Sequence, residues 1–421
     1  MIKGIKARLD IHDILLRIYK SNTSLNNVFI QNIINKNKQE DINLINNVVL
    51  NSMRYQFHTK NIIETYVKKK LKDEERILLI SSITQIVYLD FREYAVVNCT
   101  VEIAKKKNIY HGFINAVLKN VSKDKDSLTK TTIKYNNLPL WFQIQTKDLK
   151  KNEKKKFLNN FYREPNLHLV FKGKEEIEKF EEKLIKTSEY SGFVENRKKV
   201  QDIKSFNNGT WWVQDFSSFF PISTLKRLHK NWKYLDMCAA PGGKSFQILS
   251  KNIKITLNDK SKKRIRLIKE NLARLNLKSK IINKDFIDLD INNKFDFIIL
   301  DAPCSSIGTI RKNPEIFFKH KGPDFKILIN LQEKMLEKAS ELLQENGTIL
   351  YMVCSFLKNE TEDQINKFLN KHTNFRLNEF KLLDEKNDYI NLIKNKFMLT
   401  LPDKVLNNTI DGYFAAFLKK L

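Results

Sequence analysis

The sequence predicts an all-helical front segment, a small α/β element behind it, and a C-terminal α/β domain built on a doubly wound, mainly parallel sheet. Three observations carry this reading. Apolar residues recur at helical spacing over residues 1–120, where Gly and Pro are almost absent. From residue 232 onward, short apolar runs alternate with amphipathic stretches, the pattern of a sheet covered by helices on both faces. The first of those runs ends in a Gly-rich turn, Cys238-Ala239-Ala240-Pro241-Gly242-Gly243-Lys244, that opens a helix.

In the front segment, residues 7–19 put Ala7, Ile11, Ile14, Leu15 and Ile18 on one face. Residues 42–55 repeat the pattern with Ile45, Val48, Val49 and Met53, and residues 74–88, 96–107 and 112–121 follow. Cys99, among Val96, Val97 and Val101, reads as a buried, inert thiol. The polar stretch 122–134 reads as a linker. Residues 138–230 are less regular. A Lys-rich helix is expected over 149–162, short strands at 167–171 and 200–202, and a helix over 175–184 between them. The lysines of 151–156 and Lys198-Lys199 could touch phosphates, although each tract alone is more often a solvated face. The expected domains are 1–125, 126–230 and 231–421.

Composition bounds the function. The chain has 421 residues, 75 Lys plus Arg and 48 Asp plus Glu, a net charge of +27. Such an excess attracts polyanions, with nucleic acid first and an anionic membrane face second. The chain is also Lys-, Asn- and Ile-rich throughout, so a general composition bias is the plain alternative. The 28 Phe and 13 Tyr argue against disorder, and 11 Gly and 8 Pro exclude a collagen-like repeat. Four cysteines without a close pair make neither a disulfide framework nor a tetrahedral zinc site, so no metal is expected. The start MIKGIKARLD lacks an apolar signal core, and the longest apolar runs are too short to cross a bilayer. A cytoplasmic monomer without a membrane partner is the expectation.

The candidate chemistry sits at strand ends, where ligands of such sheets bind. The Gly turn allows close ligand approach but lacks both the dinucleotide fingerprint and the Walker pattern. Asp259, after the second strand, could hold ribose hydroxyls, and Asp285, after the third, could meet an adenine amine. In that order the three features favour an adenosine-containing cofactor, S-adenosylmethionine ahead of NAD. Two further strands end in Asp301-Ala-Pro-Cys304 and Met352-Val-Cys354-Ser355, bringing two thiols to one rim. A redox pair or metal ligands are open readings. Methylation at a pyrimidine C5 suits them best, because a thiolate adding at C6 makes C5 enamine-like, while acid–base groups must complete turnover.

These motifs resemble those of the bacterial 16S rRNA cytosine-C5 methyltransferases of the Sun/Fmu type, within the Nol/Nop/Sun family. The resemblance rests on Asp236-Met-Cys-Ala-Ala-Pro-Gly-Gly-Lys244, on Asp301-Ala-Pro-Cys304-Ser305 with Gly308 and Arg311-Lys-Asn-Pro314, on Val213-Gln-Asp215 with Ser217, and on Asp411-Gly412-Tyr413-Phe414. It implies a Rossmann-like class I methyltransferase domain and S-adenosylmethionine as cofactor. It implies a methionine-side loop from Cys238 to Lys244, ribose contact at Asp259 and adenine contact at Asp285. Asp301 then serves both the cofactor pocket and the base, Cys354 is the nucleophile, and Cys304 resolves the adduct. The front segment resembles a NusB-like RNA-binding module through His111-Gly-Phe-Ile-Asn115 and Ala-Val-Leu-Lys119, and through Arg8 with Ser24-Leu25. The implied partner is small-subunit ribosomal RNA. Val353 stands where the family usually has Thr, Ser306 where it has Gly, and Asn258 where it has an aliphatic residue. Action on tRNA or large-subunit rRNA, DNA methylation with Cys304 as nucleophile, and a catalytically silent RNA-binding factor are the rival readings.

Overall fold

The computed structural model describes residues 4–21, 24–25, 38–195, 199–225, 228–290, 292, 294–380, 389–394 and 396–421. Lys198 lies outside the described residues. The chain forms two compact units, one of Met1–Arg163 with Ile310–Pro323, the other of Glu164–Thr309 with Asp324–Leu421.

The first unit is helical. Helices Ile5–Lys20, Gln39–Arg54, Asp73–Ile83, Glu93–Lys106 and His111–Lys123 form where the apolar period demands them. Their inward faces, including Ile11, Leu15, Val48, Leu79, Ile103 and Leu118, make one core, and Cys99 is buried in it. Acidic first turns favour three of these helices: Glu40 and Asp41 in one, Asp73, Glu74 and Glu75 in the next, and Glu93 in the third. Glu75 also accepts the Lys72 N–H at 2.9 Å. The helix expected through residue 88 ends at Ile83 and closes in a π-helical turn, Thr84–Tyr88. Helix Gln56–Tyr66 was not anticipated, since Phe57, Ile62 and Ile63 give too few apolar positions for a clear period. The polar stretch 122–134 is not a plain linker. It carries the helix to Lys123 and a further turn at Lys125–Leu128, and Tyr66 Oη donates to Asp124 Oδ2 at 2.6 Å.

This unit recovers a segment from far along the chain. In Ile310–Pro323, Phe318 joins the helical core, and Phe317 sits among Phe57, Phe142, Phe157 and Phe161 with ring centroids 5.0–6.2 Å apart. The Arg54 guanidinium donates to the Arg311 carbonyl at 3.1 and 3.3 Å.

The second unit holds two main sheets. The smaller is antiparallel, with β1 (His168–Phe171), β2 (Leu184–Ser188), β3 (Ser191–Val194) and β4 (Trp211–Val213) in the order β2-β3-β1-β4. Two expectations fail in it. Residues 200–202 form a 3-10 turn rather than a strand, because Trp211-Trp212-Val213 takes the place beside β1 and buries more apolar surface. The helix expected over 175–184 stops at Glu178, and the alternating Leu184-Ile-Lys-Thr begins β2.

The large sheet contains β5 (Tyr234–Asp236), β6 (Ile255–Asn258), β7 (Lys280–Ile282), β8 (Phe295–Asp301), β9 (Leu343–Val353), β10 (Phe375–Asn378), β11 (Ile393–Lys394), β12 (Phe397–Thr400) and β15 (Tyr413–Lys420), with the hairpin β13 (Asp403–Val405) and β14 (Asn408–Ile410) apart. Its order is β11-β12-β15-β9-β8-β5-β6-β7, with β10 also on β15. The five strands β5 to β9 pair in parallel and the later strands pair antiparallel. Runs such as Phe297–Leu300 and Ile349–Val353 are buried on both faces, as a covered parallel sheet requires. Crossover helices include Gly243–Leu249, Lys262–Arg274 and Phe325–Leu342. No helix among the described residues is long and apolar enough to cross a membrane.

His58 in the helical unit is buried edge-on to Tyr55, Tyr88 and Tyr162. Burial lowers its pKa to about 4. The unfolded chain therefore binds more protons between about pH 6.5 and 4, and this histidine withdraws stability as pH falls through that window. In an NMR titration of the full chain, the His58 ring signal should stay flat between about pH 5.5 and 7.5; a midpoint near the unperturbed 6.5 would contradict the burial argument.

Candidate active site

The carboxyl ends of β5, β6, β7, β8 and β9 carry the residues singled out in the sequence. After β5 the chain turns at Gly242, φ +112°, which begins helix Gly243–Leu249. A Cβ at Gly242 would lie 2.2 Å from the Phe246 ring, so only glycine permits this turn. Lys244, in the first turn of that helix, reaches the end of β8, where its Nζ lies 2.5 Å from Asp301 Oδ2. From the other side Tyr413 Oη donates to Asp301 Oδ1 at 2.7 Å. Burial opposes the Lys244 charge, but the Asp301 carboxylate outweighs it and the net shift is upward. Burial, then Asp301, raises the Tyr413 pKa, so its hydroxyl keeps its proton.

The two thiols meet. Cys304 Sγ and Cys354 Sγ are 3.3 Å apart, and Ser306 Oγ lies 3.5 Å from Cys354 Sγ. The hydrogen bond with Cys354, followed by burial, raises the Cys304 pKa well above its usual value. Raised in this way, the Cys304 thiol holds its proton, while either sulfur can donate across the contact. Ser306 adopts φ +57°. That left-handed backbone explains why glycine suits the position in the resembling family. Val353 is fully buried.

Two loops cross beneath the thiols. Gly308 N–H donates to the Cys354 carbonyl at 3.1 Å, and Gly412 N–H donates to the Gly308 carbonyl at 2.9 Å. A Cβ at Gly308 would lie 1.8 Å from the Gly412 oxygen. Asp215 Oδ1 accepts Ser217 N–H at 2.9 Å and Asp411 N–H at 3.3 Å, while Ser217 Oγ donates to the Asp411 carbonyl at 2.8 Å. The motifs around Asp215 and Asp411 therefore lock one another.

The remaining acids are placed differently. Asp259 is nearly buried, and its carboxylate accepts Ser261 N–H at 2.9 Å and Ala240 N–H at 3.3 Å. It braces the Gly loop against the next helix. Asp285 caps its own turn through Ile287 N–H at 3.4 Å, and Ile287 stands exposed beside it. Cys238, at the start of the loop, is half-buried, and burial then Asp236 push its thiol pKa up. Sequence reasoning gave no role to Asp236. It is fully buried and shifted up to about 6 by burial, with Oδ2 accepting Ser245 Oγ at 2.7 Å and Oδ1 without a hydrogen-bond partner among the described residues. Tyr413 was visible only as part of a motif. Among the described residues no group of three or more His, Cys, Asp or Glu could hold a metal.

A ribosomal RNA small subunit methyltransferase B of Shewanella oneidensis is 30% identical over 331 residues, covering 73% of this chain and 77% of that one. A family model for 16S rRNA methyltransferase RsmB/F matches residues 223–419. The chain belongs to the RsmB/F family. A NusB family model matches residues 6–123, which assigns the helical front of this RsmB/F member. A probable small subunit methyltransferase B of Coxiella burnetii is also 30% identical, over 82% of this chain and 86% of its own. The crystal structure of PH0851 shares the fold, with TM-score 0.71 and 22% identity over 100% of this chain and 99% of that one. As an RsmB/F member the protein is an S-adenosylmethionine-dependent rRNA methyltransferase. The site suits that donor. A buried acceptor at the end of β5, Asp236 Oδ1, has no hydrogen-bond partner among the described residues.

Gly308→Ala should force the crossing loops of this RsmB/F enzyme apart. Overpacking of this kind costs about 1–3 kcal/mol. A clear drop in melting temperature together with slower methyl transfer is expected from thermal unfolding and turnover assays; a variant matching the parent in both would show that the loops yield freely.

Proposed function

We propose that this enzyme methylates C5 of one cytosine in 16S rRNA through a covalent bond between Cys354 and C6. The observation that carries the reading is the 3.3 Å approach of two strand-end thiols beside Asp301. The Cys354 thiol gives its proton to solvent and its sulfur bonds to C6 as the C5–C6 π pair moves toward C5 and the ring nitrogen N3. Asp301 is the group proposed at the N3 edge. The Lys244 ammonium against it supplies positive charge where negative charge develops. S-adenosylmethionine supplies an electrophilic methyl group when bound, and C5 accepts it. C5 then gives its proton to the Cys304 sulfur, and the released pair re-forms C5=C6 and expels the Cys354 sulfur.

The hydrogen bond between the thiols supports this order of roles. Cys304 keeps its proton first because of Cys354. Once Cys354 is bonded to C6 its raising effect on Cys304 is relieved, and Cys304 releases its proton to solvent before it takes the proton from C5. The base must leave its stack to reach this rim, which favours an unpaired or weakly paired target. The NusB-like unit and the net charge of +27 support RNA docking through phosphate contacts. An rRNA substrate puts the enzyme in the cytoplasm.

For the donor, residues Cys238 to Lys244 are proposed to take the methionine end, Asp259 the ribose hydroxyls, and Asp285 with the exposed Ile287 the adenine. Asp259→Ala should weaken S-adenosylmethionine binding about tenfold, or 1.4 kcal/mol, by calorimetry, since it removes both the acceptor and the Ala240 brace. Unchanged affinity after loss of both Asp259 and Asp285 would count against the placement.

The cysteine roles separate on a denaturing gel. Cys354→Ala should be inactive and form no protein-linked RNA, whereas Cys304→Ala should accumulate it. Exchange of these outcomes reverses the assignment. Methylation undiminished in both variants removes the covalent route. Bisulfite mapping of rRNA and tRNA from cells with and without the gene identifies the nucleotide, and a lost signal in tRNA or large-subunit rRNA alone would overturn the 16S assignment.

A further inference from the structure

Glu360 lies in the turn between β9 and helix Glu362–Lys371 and has no exposed surface. No ion-pair partner is found for it among the described residues. Its carboxylate is instead enclosed by four donors. Ser305 N–H and Gln332 Nε2 donate to Oε1 at 2.8 and 3.2 Å, and Ser305 Oγ and Ser355 Oγ donate to Oε2 at 2.5 and 2.6 Å.

The identity of those donors matters. Ser305 directly follows Cys304, and Ser355 directly follows Cys354. Gln332 Nε2 also donates to the Pro303 carbonyl at 2.9 Å, on the other side of Cys304. Gln364 Nε2 in turn donates to Gln332 Oε1 at 3.1 Å, which fixes the amide that faces the carboxylate. The Tyr351 hydroxyl donates to the Glu360 carbonyl at 2.9 Å, tying the turn back to β9. A buried carboxylate needs its donors, because leaving a charge unpaired away from solvent is costly. A swing of either cysteine loop would strip one away.

We propose that Glu360 is a positioning residue: a single buried carboxylate that pins the residue after each cysteine and so sets the 3.3 Å approach of the two sulfurs. Its effect on turnover rests on the two-cysteine mechanism above; its effect on the sulfur geometry does not. Among the described residues Glu360 makes no hydrogen bond to either thiol, although its charge helps to raise the Cys304 pKa. Gln at this position keeps an acceptor for Ser305 N–H, and the serine hydroxyls can turn to accept from its amide, so the conservative variant retains most of the clamp. Ala retains none of it.

The test is oxidative crosslinking in the full chain. Diamide takes two electrons and two protons from the thiols, leaving a Cys304–Cys354 disulfide and a hydrazine. The sulfurs must close from 3.3 Å to about 2.05 Å, so the rate reports their approach. Glu360→Ala should slow the crosslink, followed by peptide mass spectrometry, at least about tenfold and lower kcat by a similar factor, with RNA KM and S-adenosylmethionine affinity unchanged. Glu360→Gln should restore most of both. Crosslinking as fast as the parent in Glu360→Ala overturns the proposal. Slow crosslinking with undiminished kcat leaves the positioning role standing and overturns the two-cysteine mechanism instead. If Glu360→Ala does not fold, the Ser305→Ala, Ser355→Ala double variant removes both Oε2 donors and must slow the crosslink in the same way; a parent-like rate there overturns the proposal equally.

Discussion

The register of β9 governs this site. β9 pairs in parallel with β8 and antiparallel with β15, so one strand aligns Asp301 with Met352 and Phe414 with Val353. That alignment brings Cys354, Asp301 and Tyr413, which lie far apart in the chain, to one rim. A slip by a single residue would turn every side chain of β9 to the opposite face and bury the thiol. The fully buried run Ile349–Val353 makes such a slip costly.

Around that rim the acids are arranged by partner rather than by exposure. Asp301 sits between a lysine and a tyrosine, Asp236 is buried with one oxygen unmatched, and Glu360 is enclosed by hydroxyls and amides. Each carboxylate therefore meets a different environment within one strand-end cluster. Differences of this kind let a few residue types divide several tasks.

Much of this was legible in the chain. Apolar periodicity found five of the helices because their inward faces repeat cleanly, and the order of Gly turn, Asp259, Asp285 and Asp301 followed from strands ending where ligands bind. Helix Gln56–Tyr66 escaped because its few apolar residues give no full period. The strand expected at 200–202 lost to Trp211-Trp212, a competition that short-range propensity does not register. The donors of Glu360 come from positions 305, 332 and 355, and no local pattern marks a carboxylate whose partners are assembled by the fold.

The segment Ile310–Pro323 has a consequence during synthesis. Domains generally close as units in the order in which they are made. Here the helical unit is translated first, yet Phe317 and Phe318 of its aromatic packing come from beyond the midpoint of the chain. Until those residues leave the ribosome, Phe57, Phe142 and Phe161 lack a partner they have in the finished molecule. Completion of the first-made unit must therefore wait for the second to be more than half translated, and a nascent chain halted before residue 317 carries an unfinished apolar surface for chaperones to hold.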